Sequence, residues 1–153
     1  MSNSIFLQII ILAMKTLKDR EEVKVRFGEV DSMGIVWHGN YVKYIEEGRE
    51  SFGKKYGISY LDIYENNVMA PVVNMNIDFK KQVKYGDMLI VETEFVNNRA
   101  AKIIFNFKIF RKSDNELVAT AQSTQVFIDM NREMILYPPQ FVLDWKKKMG
   151  IDN

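Results

Sequence analysis

The chain has 153 residues, 47% of them apolar and 27% charged, with a net charge of +1. That is the balance of one globular domain able to bury a core, without a strong field toward nucleic acid or acidic lipid. Cysteine is absent and His38 is the single histidine, which excludes disulfides, cysteine nucleophiles, thiolate zinc sites and a multi-histidine metal centre within the chain.

Residues Ile5 to Leu12, with Ala13 and Met14, form an apolar run broken by Gln8. It is shorter than the roughly 20 apolar residues that span a bilayer. It has neither a basic region ahead of it nor a clear cleavage site behind it, so it is a poor secretory signal. Three readings stand: a segment packed on the fold, a helical arm between subunits, or upstream sequence before a start at Met14. The soluble character of MKTLKDREEV favours the third. Residues 1–14 are therefore set apart as an N-terminal extension without a catalytic role, and 15–153 are read as one domain.

Glu22 to Phe27 alternates, with Val23, Val25 and Phe27 on one side, and predicts a strand. Gly28 to Asn40 has the glycines and short polar residues of a loop. From Asn40, the recurrence of Tyr41, Tyr44, Ile45, Gly48 and Phe52 at spacings of three and four predicts an amphipathic helix. Asn40 is its N-cap, and Gly53 or Gly57 its end. Ser59 to Met69 is ambiguous between a helical turn and a loop. Strand patterns follow over Val72–Val83, Met88–Val96, Lys102–Lys112 and Leu117–Asp129, separated by Tyr85-Gly86-Asp87, Asn97-Asn98 and Ser113-Asp114-Asn115. Pro138-Pro139 stops the last strand and Phe141 to Met149 predicts a short helix. Strands joined by tight turns pair antiparallel, and a sheet with one long amphipathic helix is an α+β arrangement.

The stretch Arg26 to Tyr41, RFGEVDSMGIVWHGNY, resembles the signature of the 4-hydroxybenzoyl-CoA thioesterase family, including its Tol-Pal-associated acyl-CoA thioesterase branch. The matching positions are Asp31, Gly34, Ile35, Val36, Trp37, His38, Asn40 and Tyr41, with Tyr44, Glu46 and Arg49 continuing along the helix. Pro71 and Tyr85-Gly86-Asp87 fall where that family begins and ends its long strand. The resemblance spans about residues 22 to 130. It implies a hotdog fold, an antiparallel sheet wrapped around one long central helix, and hydrolysis of an acyl-CoA thioester to a free carboxylic acid and CoA.

Thioester hydrolysis requires a nucleophile or base, and a donor for the oxygen that becomes negative. The resemblance assigns the first role to Asp31, as nucleophile or general base. It assigns the second to the backbone N–H of His38, at a helix start where free N–H groups carry partial positive charge. The His38 imidazole is a further catalytic candidate, for proton transfer or orientation. Without its motif, Asp31 reads as a turn-former. Gly34 and Tyr41 are expected at the substrate, although Tyr41 and Tyr44 also have the spacing of packing residues.

Arg99 and Lys102 follow the Asn97-Asn98 turn, where the hydroxybenzoyl branch places cations for the CoA nucleotide. Ala100 and Ala101 interrupt that cluster, so Lys80, Lys81 or Lys84 are alternatives; singly, each lysine also reads as a solvated strand edge. No metal and no cofactor are implied, CoA entering only as part of the substrate. Expected partners are acyl-CoA or acyl carrier protein and a second copy of the chain, as homodimer or homotetramer, in the cytoplasm, without nucleic acid or a membrane span. Rival activities are acyl-carrier-protein or dihydroxynaphthoyl-CoA hydrolysis, and acyl-CoA binding without catalysis.

Overall fold

The computed structural model describes residues 15–152; the expectations for residues 1–14 lie outside them. The strands are β1 (Lys18–Lys24), β2 (Val68–Met69), β3 (Val72–Phe79), β4 (Met88–Phe95), β5 (Lys102–Arg111), β6 (Glu116–Asp129) and β7 (Met134–Ile135). The helices are α1 (Tyr41–Tyr56), α2 (Tyr60–Glu65) and α3 (Gln140–Met149), with 3-10 turns at Phe27–Glu29 and His38–Asn40. The sheet is antiparallel in the order β1-β4-β5-β6. β3 pairs with the remaining edge of β6, while β2 and β7 flank the last residues of β6.

Alternation decides which side of the sheet is covered. Ile103, Phe105, Phe107 and Ile109 of β5 are buried, as are Leu89, Val91 and Phe95 of β4, and they meet the apolar stripe of α1 at Tyr44, Ile45 and Phe52. The Phe52 ring sits edge-on to Phe105 at 5.0 Å. α1 ends at Gly57, whose φ of 74° is open to glycine at little cost. α3 closes the far end, with Trp145 edge-on to Phe95 at 5.1 Å and its Nε1–H donating to Tyr56 O. This is the predicted α+β hotdog arrangement.

Several boundaries differ from the sequence reading. The first strand is Lys18–Lys24 rather than Glu22–Phe27, because Asp19 and Glu21 occupy inward positions of β1, where apolar periodicity cannot mark them. The Ser51 hydroxyl lies 2.6 Å from the Asp19 carboxylate and 3.0 Å from that of Glu21. Phe27 leaves the strand for a 3-10 turn and is exposed, its ring edge-on to Tyr85 at 5.6 Å. The strand expected over Val72–Val83 stops at Phe79, where Lys80 and Lys81 N–H both turn to Val118 O. The ambiguous Ser59–Met69 segment contains α2, capped by a reciprocal Ser59–Asp62 pair. β7 was not anticipated.

The packing of α1 on the sheet is close at Gly48, where a Cβ would lie 2.5 Å from Val91 Cγ1 and 2.7 Å from Thr93 Oγ1. Gly48→Ala gains about 1 kcal/mol of helix propensity but overpacks a buried β-branched neighbour at a cost of about 1–3 kcal/mol. A net loss of stability is expected, read as a lower urea midpoint; an unchanged midpoint would show that helix and sheet tolerate a wider separation.

Candidate active site

Asp31 sits at the tip of a small hairpin between β1 and α1. Val30 and Val36 form an antiparallel bridge, Asp31 N–H donates to Ile35 O at 2.8 Å, and Gly34 N–H donates to Asp31 O at 3.0 Å. The turn needs a left-handed residue, and Gly34 supplies it at φ 76°. Ile35 bridges Lys84 and Val36 N–H donates to Val83 O at 2.8 Å, so the hairpin is docked on the segment after β3. Asp31 Oδ1 accepts the Met33 N–H at 2.8 Å. The turn-forming role of Asp31 is therefore real, and it also orients the carboxylate: Oδ1 is held, while Oδ2 has no hydrogen bond among the described residues.

The helix start lies next to this hairpin. Trp37 N–H donates to Glu29 O at 3.0 Å and Asn40 N–H to Trp37 O at 2.9 Å. The intervening N–H groups of His38 and Gly39 donate to no acceptor among the described residues. They are unengaged donors at the positive end of α1. Asn40 does not cap the helix with its side chain, contrary to the sequence expectation. It is buried, and its Nδ2 donates instead to Glu29 O at 2.9 Å.

Asp31, His38 and Tyr41 line one cleft of about 350 Å³ together with Met33, Ile35, Val36, Phe79 and residues 80–83. Three of its lining residues are aromatic: the His38 ring is 6.4 Å from Phe79, and Tyr41 meets Phe79 at 4.9 Å; Trp37, outside the lining, backs the His38 ring at 4.9 Å. Gly34 shapes the hairpin rather than the wall. Phe79 was read only as a strand residue; its 52% exposure at the end of β3 is what places it in the cleft. Lys80 and Lys81, the alternative cations, lie in this wall. Arg99 and Lys102 do not join it within one protomer. Lys102 begins β5, whereas Arg111 at the other end of that strand donates to Gln82 O beside the cleft. Ten residues of strand, about 30 Å, separate the two ends. Arg99 lines a separate cavity of about 610 Å³ between the β4–β5 turn and α3. Among the described residues no group of three or more carboxylate or imidazole side chains could hold a metal ion, and no helix is long and apolar enough to cross a membrane.

An antiparallel sheet wrapped on one long helix defines a class of proteins. The family model of the Thioesterase-like superfamily matches residues 25–146, and the chain belongs to that superfamily. It is 34% identical over 110 residues to YneP of Bacillus subtilis, a protein provisionally named an acyl-CoA thioesterase, covering 72% of this chain and 79% of YneP. It is 26% identical over 138 residues to a 1,4-dihydroxy-2-naphthoyl-CoA hydrolase of Prochlorococcus marinus, covering 85% of this chain and 89% of that one. The crystal structure of a DHNA-CoA thioesterase from Staphylococcus aureus superposes with a TM-score of 0.77 at 26% identity, over 89% of this chain and 93% of that one.

Behind the hairpin lies a buried polar pair that the sequence did not reveal. The Glu29 carboxylate is held by Arg26 N–H at 2.8 Å, and the buried Tyr44 hydroxyl has no partner within hydrogen-bond distance among the described residues. Burial first, and then the charge of Glu29, push the Tyr44 phenol above its ordinary value of 10.0. A phenol whose folded pKa is raised keeps its full contribution to stability below about pH 10 and loses it as pH climbs toward the folded value. Tyr44→Phe is expected to change stability at pH 7 by less than about 1 kcal/mol, since no hydrogen bond is broken. In urea titrations above pH 10 the variant should lose stability less steeply than wild type. Equal slopes would mean that the Tyr44 phenol is not the titrating group.

Proposed function

We propose that this protein hydrolyses acyl-CoA thioesters to a free carboxylic acid and CoA, with Asp31 as the working carboxylate and the helix start as the oxyanion site. The observation that carries the reading is that one cleft is lined by Asp31, with one carboxylate oxygen held and one free among the described residues, and by His38, whose backbone N–H has no acceptor among them. The free Oδ2 acts by one of two routes. It attacks the acyl carbon, giving a mixed anhydride and CoA thiolate, and water then cleaves the anhydride; or it takes the proton of a water that attacks the same carbon. In both, the carbonyl oxygen gains negative charge and the His38 N–H, with Gly39 beside it, donates to that oxygen. The His38 imidazole orients the acyl group against Phe79, and the cofactor requirement is nil. The hairpin motif supports placement in the 4-hydroxybenzoyl-CoA thioesterase branch and its Tol-Pal-associated relatives, acting in the cytoplasm where CoA thioesters are made.

The aromatic walls favour a second reading of the acyl group. His38, Tyr41 and Phe79 offer faces and edges to a planar ring, which suits a dihydroxynaphthoyl thioester as well as an alkyl one. Acyl carrier protein, as an alternative carrier, would meet Lys80, Lys81 and Lys84 at the cleft mouth.

The same cleft is completed by a second copy. β3 has no partner on its outer edge among the described residues, and Val72, Val73 and Phe79 are exposed along it. Antiparallel pairing of β3 with its own copy about a two-fold axis joins the sheets and turns the Lys102 end of one protomer toward the Asp31 end of the other. In that arrangement Arg99 and Lys102 act in trans as nucleotide anchors. A homodimer is the unit, and a homotetramer is two of them.

Steady-state assays with short, long and aromatic acyl-CoAs and with acyl-carrier-protein thioesters test the activity. Asp31→Asn is expected to lower kcat on the order of 100-fold or more. His38→Ala keeps the backbone donor and is expected to cost less than about tenfold. Full activity in Asp31→Asn would overturn the assignment, and an inert wild type would overturn the enzyme. Val73→Glu places a charge on the β3 edge and should shift the sedimentation equilibrium toward monomer; an unaffected oligomer would remove β3 from the contact.

A further inference from the structure

The two halves of the site come from different parts of the chain. Asp31 is carried by the hairpin, and the His38 and Gly39 N–H groups by the start of α1. Neither half works unless the distance between them is fixed, because a misplacement of about 1 Å can cost about 100-fold in rate. The tip of the hairpin is anchored sideways, on Val83 and Lys84. Its root is anchored to the helix at one atom, the carbonyl oxygen of Glu29, two residues before Asp31. That oxygen accepts from Trp37 N–H at 3.0 Å and from Asn40 Nδ2 at 2.9 Å, so both of its lone pairs are used.

The Asn40 bond joins residues 26–36 to residues 38–56 through a side chain and a backbone oxygen, next to the interaction of the Glu29 carboxylate with the Tyr44 phenol. Asn40 is 7% exposed and next in sequence to Gly39, so its amide has little freedom and moves with the donors. An asparagine at a helix start ordinarily turns its oxygen inward to cap N–H groups. This one instead spends its amide nitrogen on the loop, and no cap bond compensates for that choice.

We propose that Asn40 is a positioning residue: through Glu29 O, its side chain fixes the separation between the Asp31 carboxylate and the His38–Gly39 donors. The inference rests on the thioesterase reading above. Asn40 touches no reacting atom. Its effect passes through Asp31, so it must vanish when Asp31 can no longer work.

That dependence gives the test. Asn40→Ala and Asn40→Asp are made in the wild-type and Asp31→Asn backgrounds, and kcat, KM and melting temperature are measured for each. Asn40→Asp retains size but lacks the donor. In the wild-type background both variants are expected to lower kcat about tenfold or more with KM within about twofold. In the Asp31→Asn background the further loss should be under about twofold, since two groups acting as one unit are non-additive. Equal fold-losses in both backgrounds would assign Asn40 a general structural role and overturn the proposal, as would full kcat in both variants. If Asn40→Ala does not fold, Asn40→Asp decides; if neither folds, Asn40 is a stability residue and the proposal falls. A wild type that cleaves no thioester removes the functional reading and this inference together, whereas an active wild type with additive losses removes this inference alone.

Discussion

The close approach of α1 to β4 is the constraint from which the rest follows. Gly48 lets the helix backbone lie almost on Val91 and Thr93, and that depth sets where both helix ends emerge. At one end Tyr56 O meets Trp145 of α3. At the other, the helix begins where the Asp31 hairpin leaves β1. A helix standing farther from the sheet would keep its amphipathic face but would not bring its first N–H groups level with a loop anchored on Val83 and Lys84. The site is thus a consequence of packing, and its precision is inherited from a core that is dense along Phe52, Phe95, Phe105 and Phe107.

The chemistry depends on what is left unbonded. In most of the chain, polar groups are satisfied by strands, caps and turns. At the helix start the accounting stops short: Trp37 and Asn40 use their N–H groups, and among the described residues the two between do not. At the hairpin tip, one oxygen of Asp31 is engaged and, among the described residues, the other is not. Asp31 and His38, which carry this unused capacity of opposite sense, line the same cleft.

The sequence made the architecture legible where burial imposes a period. The inward row Ile103, Phe105, Phe107 and Ile109, and the α1 stripe through Tyr44, Ile45 and Phe52, were readable because one face of each element is apolar. β1 was misplaced because its inward Asp19 and Glu21 are satisfied by Ser51, a pairing that no local pattern announces. Phe79 reads from the sequence only as a strand residue, because an alternating strand does not say which edge of the sheet it will occupy. Asp31, His38 and Tyr41 were found by motif and do share a cleft, while Arg99 and Lys102 lie at the other end of the same protomer. Asn40 shows the limit most clearly: residue type and position both indicate a cap, and only the proximity of Glu29 O, eleven residues earlier, redirects it.

The two edges of the sheet are built differently. β1 turns Lys18, Arg20, Glu22 and Lys24 outward and carries acidic groups even on its inner face, which discourages any further strand from docking there. β3 presents Val72, Val73 and Phe79 instead. Strand addition is therefore open on one side only. A contact made through that side by two identical chains uses up the open edge of both, and the paired sheet is left bounded by a charged strand at each margin. Growth by strand addition would then end at two, and the route from an exposed edge to an endless fibre would be closed by the composition of the opposite strand.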